Sequence, residues 1–333
     1  MIQLDKCPST LKGGFDGYSP AALRRLFNGK KVSHILPFLP PEKDASVNEL
    51  FQSNRKRISI SGVQLKLSLI LDGNKLRLSN EGERGQYILK PIPNDLRSRD
   101  QVPANEHVTM QIASQVFEMQ TAENALLFFE DGQPAYLTKR FDIKPDGSKK
   151  GMEDFASLAG KTKDTAGEDY KYESNYEEMF VALRNSTGAY PIESIKLFRL
   201  ILFNYVFSNG DAHLKNYSLI ETEQTDYIFS PAYDLINTKL HIDDSDIALK
   251  KGLFTDGYKR VDFRETFGHN SSDFRELGRR AGISNAIVER ELTLITSKKD
   301  QVKQLVKNSF LDDASVTSYL NLYDDKRNRL TRK

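Results

Sequence analysis

Apolar and polar residues alternate between positions 58 and 78, which is the pattern of β-strands with one buried face. The apolar residues occupy even positions before Gly62 and odd positions from Val63 to Leu71. A change of phase at a glycine predicts a bulge or a tight turn at that point. The sequence Asp-Gly-Asn at positions 72–74 then predicts a hairpin turn into a second strand.

The remainder of the first 140 residues is predicted to be mostly antiparallel sheet with one longer helix. Ser19 followed by Pro20 predicts a short helix that runs to Phe27. Residues 105–117 carry apolar side chains at helical spacing. The segments QYILKPIP and ALLFFEDGQPAYLTKRFD are read as strands, the second as two strands joined by a turn.

The pattern becomes mainly helical after residue 140. Residues 192–208 are apolar on nearly every face, which predicts a buried helix. The segment MEDFASLAG is read as a short helix, residues 161–175 as a polar, mobile loop, and residues 274–306 as further helices. We therefore predict an α+β fold with a sheet-rich N-terminal lobe, residues 1–140, and a mainly helical C-terminal lobe, residues 141–333.

Composition and charge narrow the class of protein. A chain of 333 residues is too long for one compact core, which supports two domains or lobes. The net charge of +2 does not indicate nucleic-acid binding by bulk electrostatics. The chain has one cysteine, Cys7, no apolar run that would span a bilayer and no secretion signal at its start, so we expect a reducing, cytoplasmic location without membrane attachment.

The loop that follows the predicted buried helix carries the most informative side chains. Asp211 and Asn216 stand in the order Asp-x-x-x-x-Asn, which is the spacing of a protein-kinase catalytic loop. In such a loop the Asp accepts the proton of the substrate hydroxyl and the Asn holds a magnesium ion. Lys215 would lie close to the transferred phosphoryl group and offset its charge. The alternative is a solvated turn, because Asn-Gly-Asp is also favourable turn chemistry.

A second acidic residue is needed to bridge the magnesium ion to the phosphates of ATP. The segments KNYSLI and DYIFS predict a hairpin beneath the loop, and the chain then reaches Asp234. We predict Asp234 as a magnesium ligand together with Asn216. The Asp-Phe-Gly sequence of protein kinases is missing, so the match is one of role, and Asp234 as a helix cap is the alternative.

A buried cation is needed on the nucleotide phosphates. Lys90 ends the predicted strand YILK, and Glu106 follows at the start of the next helix, where the two side chains would pair. This arrangement matches the strand lysine and helix glutamate of protein kinases. A surface ion pair is the commoner fate of such residues and is the alternative.

The segment SISGVQLK at positions 59–66 is a candidate phosphate-binding turn. Gly62, Val63, Gln64 and Lys66 are its candidate contacts to the nucleotide, although a single glycine makes this a weak motif and a plain amphipathic strand is the alternative. His213 has two interpretations. A histidine that ties the loop backbone is the commoner one, and a functional role, as a base or as a contact to the nucleotide, is the other.

Several of these motifs together resemble the HipA family of bacterial toxin kinases. The resemblance covers about residues 53–282 and is most specific in SISGVQLK and GDAHLKN. The further matching segments are YILKPIP, NEHVTM, TKRFD, MEDFASLAG, NYVFSNGDAHLKNYSLI and SPAYDL. The resemblance implies a two-lobed, protein-kinase-like fold and an ATP- and magnesium-dependent serine/threonine protein kinase.

The resemblance also implies roles for individual residues. Asp211 would be the catalytic base, Asn216 and Asp234 the magnesium ligands, and Lys90 a contact to the ATP phosphates. The hinge that meets adenine would lie near Thr138, Lys139 and Arg140. Ser59 matches the autophosphorylated serine of the family, and Ser61 is a second candidate, as in family members whose loop reads Ser-Ile-Ser.

One departure from the family pattern affects the expected partners. Full-length HipA proteins carry an N-terminal subdomain ahead of the serine loop, and Ser59 comes too early for it, so the chain resembles the compact members called HipT. The resemblance implies a HipB-like DNA-binding antitoxin, and possibly a small HipS-like protein that supplies the missing subdomain. Nucleic acid would be contacted only indirectly, through the antitoxin.

The resemblance further implies a toxin of a HipBA- or HipBST-like system that phosphorylates an aminoacyl-tRNA synthetase and halts translation. Phosphorylation of Ser59 or Ser61 would then act as self-regulation. Two other functions remain open from the residues alone. One is an ATP-binding pseudokinase that acts as an interaction module, and the other is a small-molecule phosphotransferase.

Overall fold

The structure is a computed structural model of the chain. It describes residues 3–41, 43, 65–94, 96–144, 146–260, 263 and 268–331. Ser59, Ser61, Gly62, Val63 and Gln64 lie outside the described residues, as does the predicted change of strand phase at Gly62.

A five-stranded antiparallel sheet forms the N-terminal part of the described chain. Its strand order is β2-β1-β3-β5-β4. Leu67 and Leu69 are buried, which agrees with the predicted face of the first strand, and a turn at Gly73 joins it to the second. The strands are β1 (Leu67–Asp72), β2 (Lys75–Leu78), β3 (Tyr87–Lys90), β4 (Asn124–Phe128) and β5 (Pro134–Lys139).

Two helices cover opposite faces of this sheet. Helix α1 (Pro20–Phe27) begins at Ser19, whose hydroxyl accepts from the N–H of Ala22, as the sequence predicted. It packs on the face that carries the odd-numbered residues of β3 and β5. Helix α2 (Val102–Gln115) packs on the other face, where Lys90 and Tyr136 lie opposite each other on neighbouring strands. This face packs against the same hydrophobic cluster as the C-terminal helices.

The remaining described elements are mainly helices around a three-stranded antiparallel sheet. That sheet has the order β6-β7-β8, and Leu219 pairs with Phe229 in the hairpin that the sequence predicted. The strands are β6 (Met152–Asp154), β7 (Ser218–Glu221) and β8 (Tyr227–Phe229). The helices are α3 (Phe155–Leu158), α4 (Lys163–Ala166), α5 (Tyr176–Ser186), α6 (Tyr190–Val206), α7 (Ser271–Arg280), α8 (Asn285–Ser297), α9 (Lys299–Lys307) and α10 (Asp313–Thr331).

Helix α6 is the buried helix predicted from the sequence, and it runs through the centre of the largest hydrophobic cluster. Two segments differ from the sequence prediction. Met152–Asp154, read as part of a helix, pairs as a strand with β7, and helix α3 follows it. The polar stretch at 161–175, read as a loop throughout, contains the short helix α4. Among the described helices, none combines the length and the apolar character that a membrane crossing requires.

Candidate active site

A buried ion cluster joins the two parts of the fold. The Lys90 ammonium at the end of β3 lies 2.6 Å from Glu106 Oε1 on α2 and 2.7 Å from Asp234 Oδ1. The Lys90 side chain is 5% exposed and the Glu106 side chain 2% exposed. A surface ion pair, which was the alternative for Lys90 and Glu106, therefore does not describe this contact. Asp234, which follows β8, is drawn into the same cluster.

The charges in this cluster support one another. Burial alone would lower the pKa of Lys90, but Asp234 and Glu106 hold it above its ordinary value. Burial would raise the pKa of Asp234, but Lys90 and Lys66 hold it well below its ordinary value. Glu106 differs, because burial outweighs Lys90 and raises its pKa to about 6. At neutral pH Lys90 is therefore charged, and Asp234 is a carboxylate.

The backbone at Asp234 is left-handed, with a φ of 56°. Asp is one of the few residues other than glycine that tolerates this conformation. The Asn209 amide donates to the Asp234 carbonyl at 3.3 Å and to Asn204 Oδ1 at 3.0 Å. The loop after helix α6 thus fixes the segment that presents Asp234, and Asp234 does not cap a helix of the described chain.

The loop from Asn209 to Asn216 faces the ion cluster. The Asn216 amide nitrogen lies 3.4 Å from Asp234 Oδ2, and its Oδ1 accepts from the N–H of His213 at 3.2 Å. The Asp211 carboxylate accepts a hydrogen bond from the Tyr172 hydroxyl. The structure therefore brings Asp211, Asn216 and Asp234 together around one cleft, where the sequence predicted a catalytic loop and a metal-binding Asp.

The cleft has a volume of about 390 Å³, which is within the range of small-molecule sites. Its wall includes Glu106 on α2, the Asn209–Asn216 loop and Asp234. Residues 93, 94 and 96 after β3 and residues 236, 238, 241 and 242 after Asp234 also line it. Lys66 also lines the cleft, with its ammonium 3.8 Å from Asp234 Oδ2.

His213 lines the cleft while its side chain stays buried. Burial lowers its pKa to about 4, so the ring is neutral at physiological pH. Its Nδ1 has no hydrogen-bond partner among the described residues, and its ring meets the edge of Tyr172 at 5.1 Å. Its carbonyl and N–H bind Asn216, so the residue also ties the loop backbone. Both interpretations of His213 are compatible with this position.

Four predicted residues lie away from the described lining of the cleft. The Lys215 ammonium is 2.6 Å from Asp154 Oδ2 at the end of β6. Lys139 donates to the Arg25 carbonyl at 2.9 Å at the end of α1. The remaining two are Thr138, which pairs with Ile88 in the sheet, and Arg140, which forms two hydrogen bonds with Asp142. Their contacts to phosphate and adenine stay predictions.

Several cleft residues were not found from the sequence. Lys171 and Tyr172 come from the polar stretch at 161–175, which had been read as a mobile loop. Thr238 also lines the cleft, and its Oγ1 accepts from the N–H of Gly210 at 2.8 Å. These residues belong to no motif or periodic pattern in the sequence, because only the folded path of the chain brings them to the cleft.

The residues around Asp234 fit a magnesium ion. Magnesium is typically bound in proteins by one or two carboxylates, with phosphates and water supplying the other ligands. Asp234 offers such a carboxylate, and Asn216 offers an amide oxygen beside it. The Asn216 amide presents its nitrogen to Asp234, so it would have to turn over to bind a cation. No group of three or more acidic, histidine or cysteine side chains suited to a metal is found in the described part of the chain.

A sheet-rich part that buries a lysine–glutamate pair, above a helical part that presents an Asp…Asn loop and a second Asp, defines a kinase-like fold. The HipA-like C-terminal domain model matches residues 58–305. The chain belongs to this family.

Relatives and solved structures agree with that assignment. A protein of Haemophilus influenzae named "Putative kinase" is 27% identical and is matched over 92% of this chain and 90% of its own length. A protein of Sinorhizobium fredii named "Putative kinase Y4dM" is 33% identical and is matched over 63% of this chain and 52% of its own length.

Two solved structures share the fold. HipA of Shewanella oneidensis, solved with HipB and operator DNA, has a TM-score of 0.63 at 19% identity and covers 82% of this chain. This chain spans 65% of that protein. The proinflammatory kinase CtkA of Helicobacter pylori has a TM-score of 0.52 at 13% identity, over 79% of this chain and 93% of its own. These likenesses confirm the predicted two-lobed, kinase-like α+β fold.

Proposed function

We propose that the protein is an ATP- and magnesium-dependent serine/threonine protein kinase. One observation carries the proposal: the Lys90 ammonium joins Glu106 and Asp234 in a cleft that Asp211 and Asn216 also line. Phosphoryl transfer needs little covalent chemistry from a protein. It needs positioned charge on the phosphates and a base beside the acceptor hydroxyl.

Each residue has a part in this mechanism. Lys90 and Lys66 place positive charge beside the phosphates of ATP. Asp234 and Asn216 would hold a magnesium ion, which would neutralise phosphate charge. Asp211 orients the hydroxyl of the acceptor and takes its proton as the oxygen attacks the γ-phosphorus and ADP leaves.

Membership of the family supports a proposal for the cellular role. HipA of Shewanella oneidensis was solved with HipB and operator DNA, and this supports a HipB-like antitoxin as a partner here. We propose that the chain is the toxin of a HipBA- or HipBST-like system, with a small HipS-like protein as a possible third component. Its target would be an aminoacyl-tRNA synthetase in the cytoplasm, so that phosphorylation inhibits translation.

Self-regulation through the Ser-Ile-Ser loop is part of this proposal. A phosphate on Ser59 or Ser61 adds a charge of about −1.5 to −2. In a loop that binds ATP phosphates, this charge would repel the nucleotide and lower activity. Lys66, seven positions after Ser59 in the sequence, lines the cleft.

Transfer of labelled γ-phosphate from ATP to protein tests the kinase function. Wild-type protein and the variant Asp211→Asn are incubated with a lysate of bacterial cells, and labelled proteins are identified by mass spectrometry. We expect label on a synthetase, and on Ser59 or Ser61, with wild type only. Label on a small molecule would favour a phosphotransferase. Tight ATP binding without any label would favour a pseudokinase.

A further inference from the structure

The Tyr172 hydroxyl lies outside the predicted site residues, yet among the described residues it is the side chain that forms a hydrogen bond with the carboxylate of the candidate catalytic base. It donates a hydrogen bond to Asp211 Oδ1 inside the cleft. Burial and the charge of Asp211 raise the pKa of Tyr172 well above its ordinary value, so the hydroxyl keeps its proton. A carboxylate that should receive an acceptor hydroxyl is thus already occupied by a hydroxyl of the same chain.

Tyr172 is held in this position from two directions. The N–H of Leu214, inside the Asp211–Asn216 loop, donates to the carbonyl of Lys171 at 3.0 Å. The N–H of Lys250 donates to the carbonyl of Tyr172 at 3.0 Å. The ring also packs edge-on against His213. Backbone hydrogen bonds at Lys171 and at Tyr172 therefore hold the Tyr172 ring beside Asp211.

From this geometry we infer that the Tyr172 hydroxyl occupies the acceptor-hydroxyl subsite, and that Tyr172 controls which acceptors reach Asp211. A serine or threonine hydroxyl must lie within hydrogen-bond distance of Asp211 to lose its proton, and an acceptor that binds Oδ1 has to displace the phenol. This inference rests on the proposed function and adds a specificity-determining residue to it.

The displacement has a cost that discriminates between acceptors. A hydrogen bond to a charged group is among the stronger ones in proteins, so an acceptor must bring contacts of its own to replace it. A protein substrate with an extended interface can do so. Water and small alcohols offer little binding energy, and Tyr172 therefore suppresses wasteful hydrolysis of ATP.

The variant Tyr172→Phe tests this inference because it removes the hydroxyl and keeps the ring that packs on His213. The matched control is Tyr258→Phe, which removes an exposed phenol that does not line the cleft. ADP release from magnesium ATP is measured with water as the only acceptor, for wild type, Tyr172→Phe, Tyr258→Phe, Asp211→Asn and the double variant Tyr172→Phe with Asp211→Asn. Thermal unfolding of each variant checks that the fold is kept.

We expect Tyr172→Phe to raise kcat for ADP release about tenfold, with KM for ATP unchanged within about twofold. The double variant should lose this gain, because water would then have no base. The combination of a higher kcat with an unchanged KM for ATP is informative, because a merely structural effect of the substitution would lower kcat or change the KM for ATP. Tyr258→Phe should match wild type.

The outcomes separate this inference from the proposed function. A Tyr172→Phe rate that equals that of Tyr258→Phe, or falls below it, overturns the inference while Asp211-dependent turnover by wild type still supports the kinase. If wild type shows no turnover and Tyr172→Phe shows turnover that depends on Asp211, the result supports both the inference and the proposed kinase function. If neither turns over ATP with water as the acceptor, this inference fails, and the kinase proposal is then decided by the transfer of labelled phosphate to protein.

Discussion

Lys90 illustrates how a single buried residue sets the chemistry of its surroundings. It comes to lie inside the protein because it occupies a strand position whose side chain faces helix α2, next to Tyr136. A buried ammonium is tolerated only when it is paired, and here two carboxylates pair with it. The sequence predicted the partnership with Glu106 by analogy of position. The second partner, Asp234, is 144 positions away and was assigned only to the metal.

His107 gives a test of pH dependence at the residue scale. It is fully buried on α2, one of its ring nitrogens lies 2.9 Å from the carbonyl of Ser9, and burial lowers its pKa to about 4. An unfolded histidine titrates near 6.5. Between these values the unfolded chain binds the proton and the folded chain does not, so stability is lost as the pH falls from 6.5 to 4.

We expect His107→Gln to remove this contribution. From pH 7 to pH 4, the variant should lose about 3 kcal/mol less of its free energy of unfolding than wild type. Urea unfolding at a series of pH values measures it. Glu106, with its raised pKa, acts in the opposite direction in both proteins and cancels in the comparison. Parallel curves for the two proteins would contradict the prediction.

At the scale of elements, the segment that follows Asp234 is joined to the candidate catalytic loop by short-range contacts. The N–H of Thr238 donates to the Ser208 carbonyl at 3.0 Å, and the Thr238 hydroxyl also binds Asp244. Gly210, just before Asp211, lies so close to this segment that an added Cβ would be 2.3 Å from Asp244 Oδ2 and 2.6 Å from the Ser245 carbonyl oxygen. The glycine is needed for close approach.

Gly210→Ala should therefore push the two segments apart. We expect kcat for phosphoryl transfer to fall at least about tenfold, because displacement of Asp211 by a fraction of an ångström spoils its alignment. Stability should fall by about 1–3 kcal/mol. The control is Gly188→Ala, where an added Cβ meets nothing within 4 Å. Equal activity in the two variants would show that this contact does not position Asp211.

The elements themselves were predicted well where the hydrophobic pattern along the chain is strong. Helix α6 and the β7–β8 hairpin appeared as expected, because their apolar residues face cores that the pattern alone reveals. Met152–Asp154 was misread as helix, since three residues are too few for a period to show and the pairing with β7 decides their conformation. The stretch at 161–175 was read only by its polarity, which says nothing of Tyr172 and its contact with Asp211.

At the scale of the whole molecule, the cleft exists only where the two parts of the chain meet. The five-stranded sheet buries one face against α1 and the other against α2 and the helical part. A nucleotide bound in the cleft would contact both parts at once. Binding to the folded state alone raises stability by mass action, by about 2.7 kcal/mol at a ligand concentration of 100 times Kd.

We therefore expect magnesium with a non-hydrolysable ATP analogue to raise the midpoint of thermal unfolding by several degrees. Chelation of magnesium should remove most of the shift. Asp234→Asn should lose the magnesium-dependent part of the shift, because an amide is a poorer magnesium ligand than a carboxylate. The same substitution also removes one of the two carboxylates that pair with Lys90. Glu289→Gln, an exposed carboxylate that pairs with Arg275 on the outer helices, is the control. A shift in Asp234→Asn equal to that of Glu289→Gln would exclude Asp234 as a magnesium ligand.

The sequence alone determined the features that depend on neighbours along the chain. Alternation predicted the hairpin strands, and helical spacing predicted α2. The Ser19-Pro20 start predicted α1, the uniformly apolar stretch predicted α6, and the Asp211-to-Asn216 spacing predicted a catalytic loop. These signals are local because backbone geometry places every second or every third to fourth residue on one face.

Only the tertiary structure decided the contacts between distant segments. It joined Asp234 to Lys90, directed Lys215 to Asp154 and placed the Tyr172 hydroxyl on Asp211. Such pairings depend on how separate cores pack and on which buried charges must be satisfied together, and no period along the chain encodes them.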